Sequence, residues 1–103
     1  MYIVWTGGEG CLRTIRGFVW DAGNRAHIAR HGVTPDEAEE AVTLWPLFRR
    51  TRDERYVALG RTAAGRLLVV VFVFANAAAG FVRVVTARAM TAEEARYYRR
   101  KGK

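Results

Sequence analysis

A chain of 103 residues with half of its side chains hydrophobic is long enough for one real core and too short for two. Its 17 Lys and Arg against 10 Asp and Glu leave a formal charge of +7, which points to a polyanionic partner, a nucleic acid or an acidic protein surface. A lone cysteine, Cys11, excludes an internal disulfide, and the longest uncharged run, Leu67 to Val82, is interrupted by Asn76 and Gly80 and is too short to span a bilayer. With no basic leader followed by an apolar stretch, the expectation is a cytoplasmic protein that uses neither a membrane nor a cofactor.

Fifteen of the 17 cations are Arg, the side chain suited to bidentate phosphate contacts and to stacking on bases, although an Arg-favouring codon usage would leave the same bias. The charges are segregated. Residues 36–45 carry Asp36, Glu37, Glu39 and Glu40 with no cation, whereas 49–66 carry six Arg and 88–103 six cations.

Along the chain, residues 1–17 are the least patterned. Tyr2-Ile3-Val4-Trp5 suits a short strand and Thr6-Gly7-Gly8-Glu9-Gly10 a loop, so this stretch reads as an N-terminal extension ahead of a domain spanning 18–103. Gly17 to Trp20 reads as a strand end. Asp21 then N-caps a first helix that runs to Arg30 or His31 and is closed by Gly32 in the left-handed conformation. Thr34-Pro35-Asp36-Glu37 combines an N-cap, a proline at the first helical position and a capping-box Glu, and predicts a second helix over 35–44. Ala38, Ala41, Val42 and Trp45 recur at helical spacing and are expected to face the core, with Pro46 as the stop. Strands follow over 55–60, 67–74 and 81–87, joined by the Ala63-Ala64-Gly65 turn and a small-residue loop, Ala75 to Gly80. The apolar run from Leu67 to Phe74 is the pattern of a central strand covered on both faces. Thr91-Ala92-Glu93-Glu94 is a second capping box, opening a helix through Tyr97 and Tyr98 with a frayed tail after it. The predicted order is β-α-α-β-β-β-α. Its short turns imply an antiparallel meander, and with the helices to one side of it this is an α+β fold.

Several of these segments, in this order, resemble one family. Phe18-Val19-Trp20-Asp21, Asn24-Arg25, His27 to Ala38, Arg55-Tyr56, Leu59 to Thr62, Gly65 to Phe72 and Ala87-Arg88, with Thr91 and Glu94 after them, are similar to the BrnT-like toxins of the RelE/ParE superfamily. The resemblance covers about 18–100. It implies a RelE-like fold, a ribonuclease toxin of a bacterial type II toxin–antitoxin pair that inhibits translation, neutralisation by a ribbon-helix-helix antitoxin, and operator DNA bound only as a complex with that antitoxin. Ala89 stands after Arg88 where the family carries a charged residue. The alternative reading is a non-catalytic RNA- or protein-binding module on a degenerate toxin fold.

Metal-independent RNA cleavage uses the substrate's 2′-hydroxyl, present on mRNA whether free or on the ribosome. It needs a group to move protons and cations to stabilise the phosphorane. His31, at a helix C-terminus, is the first acid–base candidate, with a structural helix-end role as the alternative; Glu54 is a second base candidate. Arg30, Arg55 and Arg88 are the cations placed with them in the catalytic set. His27, Arg61, Arg66, Tyr98, Arg99 and Arg100 are the RNA-contact candidates, the last three because aromatic and basic residues interleave there. Each Arg has the alternative of a plain surface cation, and one tyrosine of the Tyr97–Tyr98 pair is expected in the core. His27 and His31 share a helix face, but no third ligand accompanies them, so no metal site is expected.

Overall fold

The computed structural model describes residues 2–5, 12–51, 53, 55–76 and 78–101, and for 2–5 and 12–14 the backbone alone. The expectations placed on Thr6 to Gly10, on Cys11, on Glu54 and on the last two residues of the tail lie outside the described residues.

Two strands, β1 (Tyr2–Trp5) and β2 (Leu12–Ile15), pair antiparallel as a separate two-stranded sheet. Ile15 at its end is fully buried in the main core, so the extension is anchored where it meets the domain. The main sheet has five strands: β3 (Gly17–Val19), β4 (Leu47–Arg50), β5 (Tyr56–Arg61), β6 (Leu67–Asn76) and β7 (Phe81–Ala89), in the order β3-β7-β6-β5-β4. The helices are α1 (Ala22–Ala29), α2 (Pro35–Thr43) and α3 (Ala92–Lys101).

Both full capping boxes on α1 and α2 follow from local chemistry. Asp21 accepts from the Asn24 amide while Asn24 Oδ1 accepts from the Asp21 amide, and Thr34 and Glu37 do the same. Gly32 and Gly65 hold the positive φ that the helix end and the β5–β6 turn demand. Asn24 does more than cap. It is buried, and its amide donates to Val19 O at 2.9 Å and Val84 O at 3.2 Å, which ties α1 to both β3 and β7. Asn24→Ala would strand those carbonyls and break the box, an expected loss of about 2–3 kcal/mol read from the shift in urea midpoint.

Three differences from the sequence reading matter. A strand, β4, occupies Leu47–Arg50, directly after Pro46. Its exposed Arg49 and Arg50 hide the apolar alternation, and such charges are how an edge strand discourages further pairing. Strands β4 to β7 form the expected antiparallel meander, but β3 runs parallel to β7, because two helices intervene and the reversal imposed by short turns does not apply to it. The helices are also not all on one side. The core of Ile28, Val33, Ala38, Ala41 and Val42 packs on one sheet face against Ala58, Leu68, Val70, Phe72, Val82, Val84 and Ala87. On the other face, α3 sets Tyr98 against Leu59 and Val69. Strand β6 is thus central and covered on both faces, as its apolar run implies.

Candidate active site

The site is built on the sheet face that carries α3. Cross-strand partners share a face, and the pairing breaks step once in β7: Val71 pairs with Thr86 but Phe72 pairs with Val84, leaving Val85 as an extra residue. This bulge changes which way the end of β7 points. Simple alternation would put residue 88 with Val84, among the helices α1 and α2. Instead Arg88 pairs with Val69 and lies on the α3 side.

There Arg88 meets the start of α3. Nη1 and Nη2 donate to Glu94 Oε1 and Oε2, both at 2.8 Å, and Nη1 also donates to Ala89 O at 3.1 Å. Glu94 is itself the capping-box residue of α3: its Oε1 accepts from the Thr91 amide at 2.8 Å, and its own amide donates to Thr91 Oγ1 at 3.1 Å. A guanidinium has five N–H groups. These bonds leave Nε–H and the outer hydrogen of Nη2, the two donors on one edge of the fork, without a protein partner among the described residues. The Arg88 side chain is 42% exposed. It is an oriented cation with a free bidentate edge at a helix N-terminus, an arrangement suited to a phosphate.

The Arg88 guanidinium, aided by the Thr91 amide, holds the Glu94 carboxyl at about 2 instead of its ordinary 4.5, against the opposing effect of partial burial. Asp21 at the start of α1 is likewise held at about 2, first by its bonds from Arg83 and then by the Asn24 amide. Both carboxyls have pKa values lowered by folding, so their stabilisation is complete above about pH 4.5 and is lost as pH falls toward 2. The urea midpoint is expected to fall across that window, and less steeply in Glu94→Gln; equal slopes in the two proteins would remove Glu94 from the account.

Beside this pair runs a groove of about 410 Å³ between the first turns of α3, the edge strand β4 and its neighbour β5. Val57 and Leu59 form its apolar part and Arg49, Glu93, Glu94 and Tyr97 stand around it. The Arg49 guanidinium lies 4.7 Å from the centre of the Tyr97 ring and that of Arg100 5.8 Å from it. Sequence reading named Arg100 and Tyr98, left open which tyrosine of the Tyr97–Tyr98 pair packs in the core, and left out Arg49 and Glu93; the six-Arg stretch from residue 49 was the available hint for Arg49.

Tyr98 corrects an expectation. It is 6% exposed, packs on Leu59 and Val69, and donates its hydroxyl to Trp45 O at 2.6 Å, so its ring has no open face for a base; burial also pushes its pKa up. Tyr97 is the half-exposed member of the pair. Trp45 corrects another: it is 54% exposed, with the Arg61 guanidinium 4.7 Å above its ring. Helix α2 ends at Thr43 because a residue before proline is driven out of the helical region, and Trp45 therefore leaves the face that Ala38, Ala41 and Val42 share.

The remaining candidates sit elsewhere. Arg30, His31 and His27 are exposed at the end of α1, the two imidazoles 6.0 Å apart edge to face. Arg66 spans from the β5–β6 hairpin to this end, with Nη1 donating to Gly32 O at 2.7 Å and to Glu37 Oε1 at 3.1 Å. Arg55 is exposed just before β5, and Arg99 is exposed on α3. No hydrogen bond or ion pair joins Arg30, His31, Arg55 and Arg88 to one another. Helix α1 and Arg88 lie on opposite faces of the sheet. Among the described residues no three His, Cys, Asp or Glu side chains come together as a metal set, and no helix is long and apolar enough to cross a membrane.

Residues 20–94 match the family described as the ribonuclease toxin, BrnT, of a type II toxin–antitoxin system. The chain belongs to the BrnT family. The match takes in α1, α2, the sheet from β4 to β7 and the Arg88–Glu94 pair, and it ends inside the first turn of α3. The fold is similar to that of the ribonuclease toxin BrnT from Brucella abortus, at 24% identity and a TM-score of 0.60, covering 76% of this chain and 99% of that one. No curated protein sequence matches the chain. The BrnT match begins after β1, β2 and β3, so the N-terminal hairpin lies outside it.

Proposed function

We propose that this BrnT-family chain is an endoribonuclease that cuts RNA without a metal ion, inhibits translation by doing so, and is neutralised by a cognate antitoxin. The substrate's 2′-hydroxyl attacks the adjacent phosphorus and the bond to the 5′-oxygen breaks. The products end in a 2′,3′-cyclic phosphate and a 5′-hydroxyl. Arg88 offers its free edge to two phosphate oxygens as charge builds on them, and Glu94 is the positioning residue that fixes its plane. The observation that carries the reading is this braced, half-exposed guanidinium beside a groove lined by Arg49, Arg50 and Tyr97 as well as Glu93 and Glu94, inside the segment that matches a ribonuclease-toxin family. His31 and Glu54 are the proton-transfer candidates. Arg30 and Arg55 are their cationic companions, and His27, Arg61, Arg66, Arg99 and Arg100 are further contacts along the RNA backbone. His31 lies on the other face of the sheet from Arg88, so the two belong to alternative cleavage sites and do not act on one phosphate.

The test is incubation of a labelled RNA with the purified chain in excess chelator, followed by analysis of the new termini. Cyclic-phosphate ends and growth arrest on expression, relieved by a co-expressed ribbon-helix-helix antitoxin, are expected. RNA left intact with and without ribosomes, together with harmless expression, would sink the reading. A second reading, a binding module without catalysis, is favoured by one fact: among the described residues no acid–base group touches Arg88 except Glu94, which the pair holds ionised. It predicts salt-dependent RNA binding and no products.

A further inference from the structure

We propose that the groove beside Arg88 is a base-binding subsite that holds the nucleotide next to the cleaved phosphate, and that it selects guanine. The inference deepens the ribonuclease reading and rests on it for the word cleaved. At about 410 Å³ the groove has the volume of a small-molecule site. A planar base entering it meets apolar surface at Val57 and Leu59 and the stacked pair of Arg49 and Tyr97, the combination by which proteins hold single-stranded bases.

The two carboxylates at the groove are not equivalent. Both Glu94 oxygens are taken by Arg88 and one also by the Thr91 amide. Glu93 is exposed and makes no hydrogen bond or ion pair among the described residues. An ionised carboxylate only accepts. Of the four bases, guanine alone presents two adjacent donors on one edge, N1–H and the 2-amino group, in register with two carboxylate oxygens; adenine and cytosine offer one amino group and uracil one ring N–H. Because Glu94 borders the groove and also braces Arg88, a base held there is one side chain away from the Arg88 guanidinium, within a nucleotide's length of a phosphate bound to it.

The probes are guanosine, inosine, adenosine and uridine 5′-monophosphates, titrated into the full chain while the backbone amide signals of β5 and the first turns of α3 are followed by NMR. Guanosine monophosphate is expected to bind tightest, with inosine, which lacks the 2-amino group, weaker by about tenfold. Glu93→Gln is expected to erase most of that difference, and Tyr97→Ala to weaken all four by about tenfold. Tyr97→Phe, which keeps the ring and its packing, is expected to bind as the parent does. Equal affinities for the four nucleotides, or a guanosine-to-inosine ratio untouched by Glu93→Gln, would overturn the inference. So would variants that lose antitoxin binding while nucleotide binding stays intact, because the groove would then be a protein contact. A chain that cuts RNA with no base preference, and does so equally well in Glu93→Gln and Tyr97→Ala, keeps the ribonuclease reading and loses this one. A chain that binds guanosine monophosphate as expected and leaves RNA intact keeps the subsite and loses the ribonuclease.

Discussion

Arg88→Ala is expected to lower the single-turnover rate of RNA cleavage by about 10²–10³-fold, the cost of removing one oriented donor group from a charged transition state. Arg88→Lys should restore only a small part, because an ammonium keeps the charge but loses both the planar fork and the two-bond brace from Glu94. Neither change should unfold the protein. The Thr91–Glu94 capping box survives without the guanidinium, and the pair is partly exposed, so its loss costs no more than about 1 kcal/mol. Rate and urea midpoint measured on the same preparations separate the two effects. Near-wild-type cleavage by Arg88→Ala would move the chemistry away from this face, toward the cations at the end of α1.

Gly60→Ala should do the opposite, weakening the fold itself and every activity that depends on it. A Cβ on residue 60 would stand 1.8 Å from the carbonyl oxygen of Ala41 and 2.6 Å from its carbon. The clash is with helix backbone, not with a side chain that can turn aside. Helix α2 cannot retreat, because Ala38, Ala41 and Val42 are all fully buried on the same face. The expected loss is about 3 kcal/mol or more, at the upper end of overpacking and a large part of the 5–15 kcal/mol that typically holds a domain together. Circular dichroism against urea would measure it. An alanine variant with an unchanged midpoint would mean that α2 has room to rise from β5.

These two positions mark how far reading along the chain can reach. Gly60 sits in a strand pattern as an ordinary small residue, and its need to be glycine comes from a helix some twenty positions earlier. Local chemistry, by contrast, was legible. Asp21, Thr34 and Thr91 start helices because a short polar side chain satisfies free amides a few residues on, and that interaction needs no tertiary partner. Gly32 and Gly65 mark turns for an equally local reason. The apolar length of β6 declares its central place. Strand β4 was missed because Arg49 and Arg50 obscure its alternation, and Trp45 was misplaced because helical spacing was carried past the point where Pro46 ends α2.

The site divides in the same way. An Arg-rich chain and an ordered set of family segments were visible residue by residue, as was Arg88 at the close of the last strand. Which face Arg88 occupies was not. One extra residue at Val85 reverses the pointing of everything after it, and only the pairing with β6 reveals the extra residue. The partnership with Glu94, the arrival of Tyr97 and Arg49 on the same groove, and the separation of His31 on the opposite side of the sheet follow from that reversal and from α3 crossing the face that α1 and α2 leave open. Sequence determined the elements, because their causes act within a few residues of each other. Tertiary structure decided the site, because its causes are the register of one strand and the side of a sheet on which a helix lands.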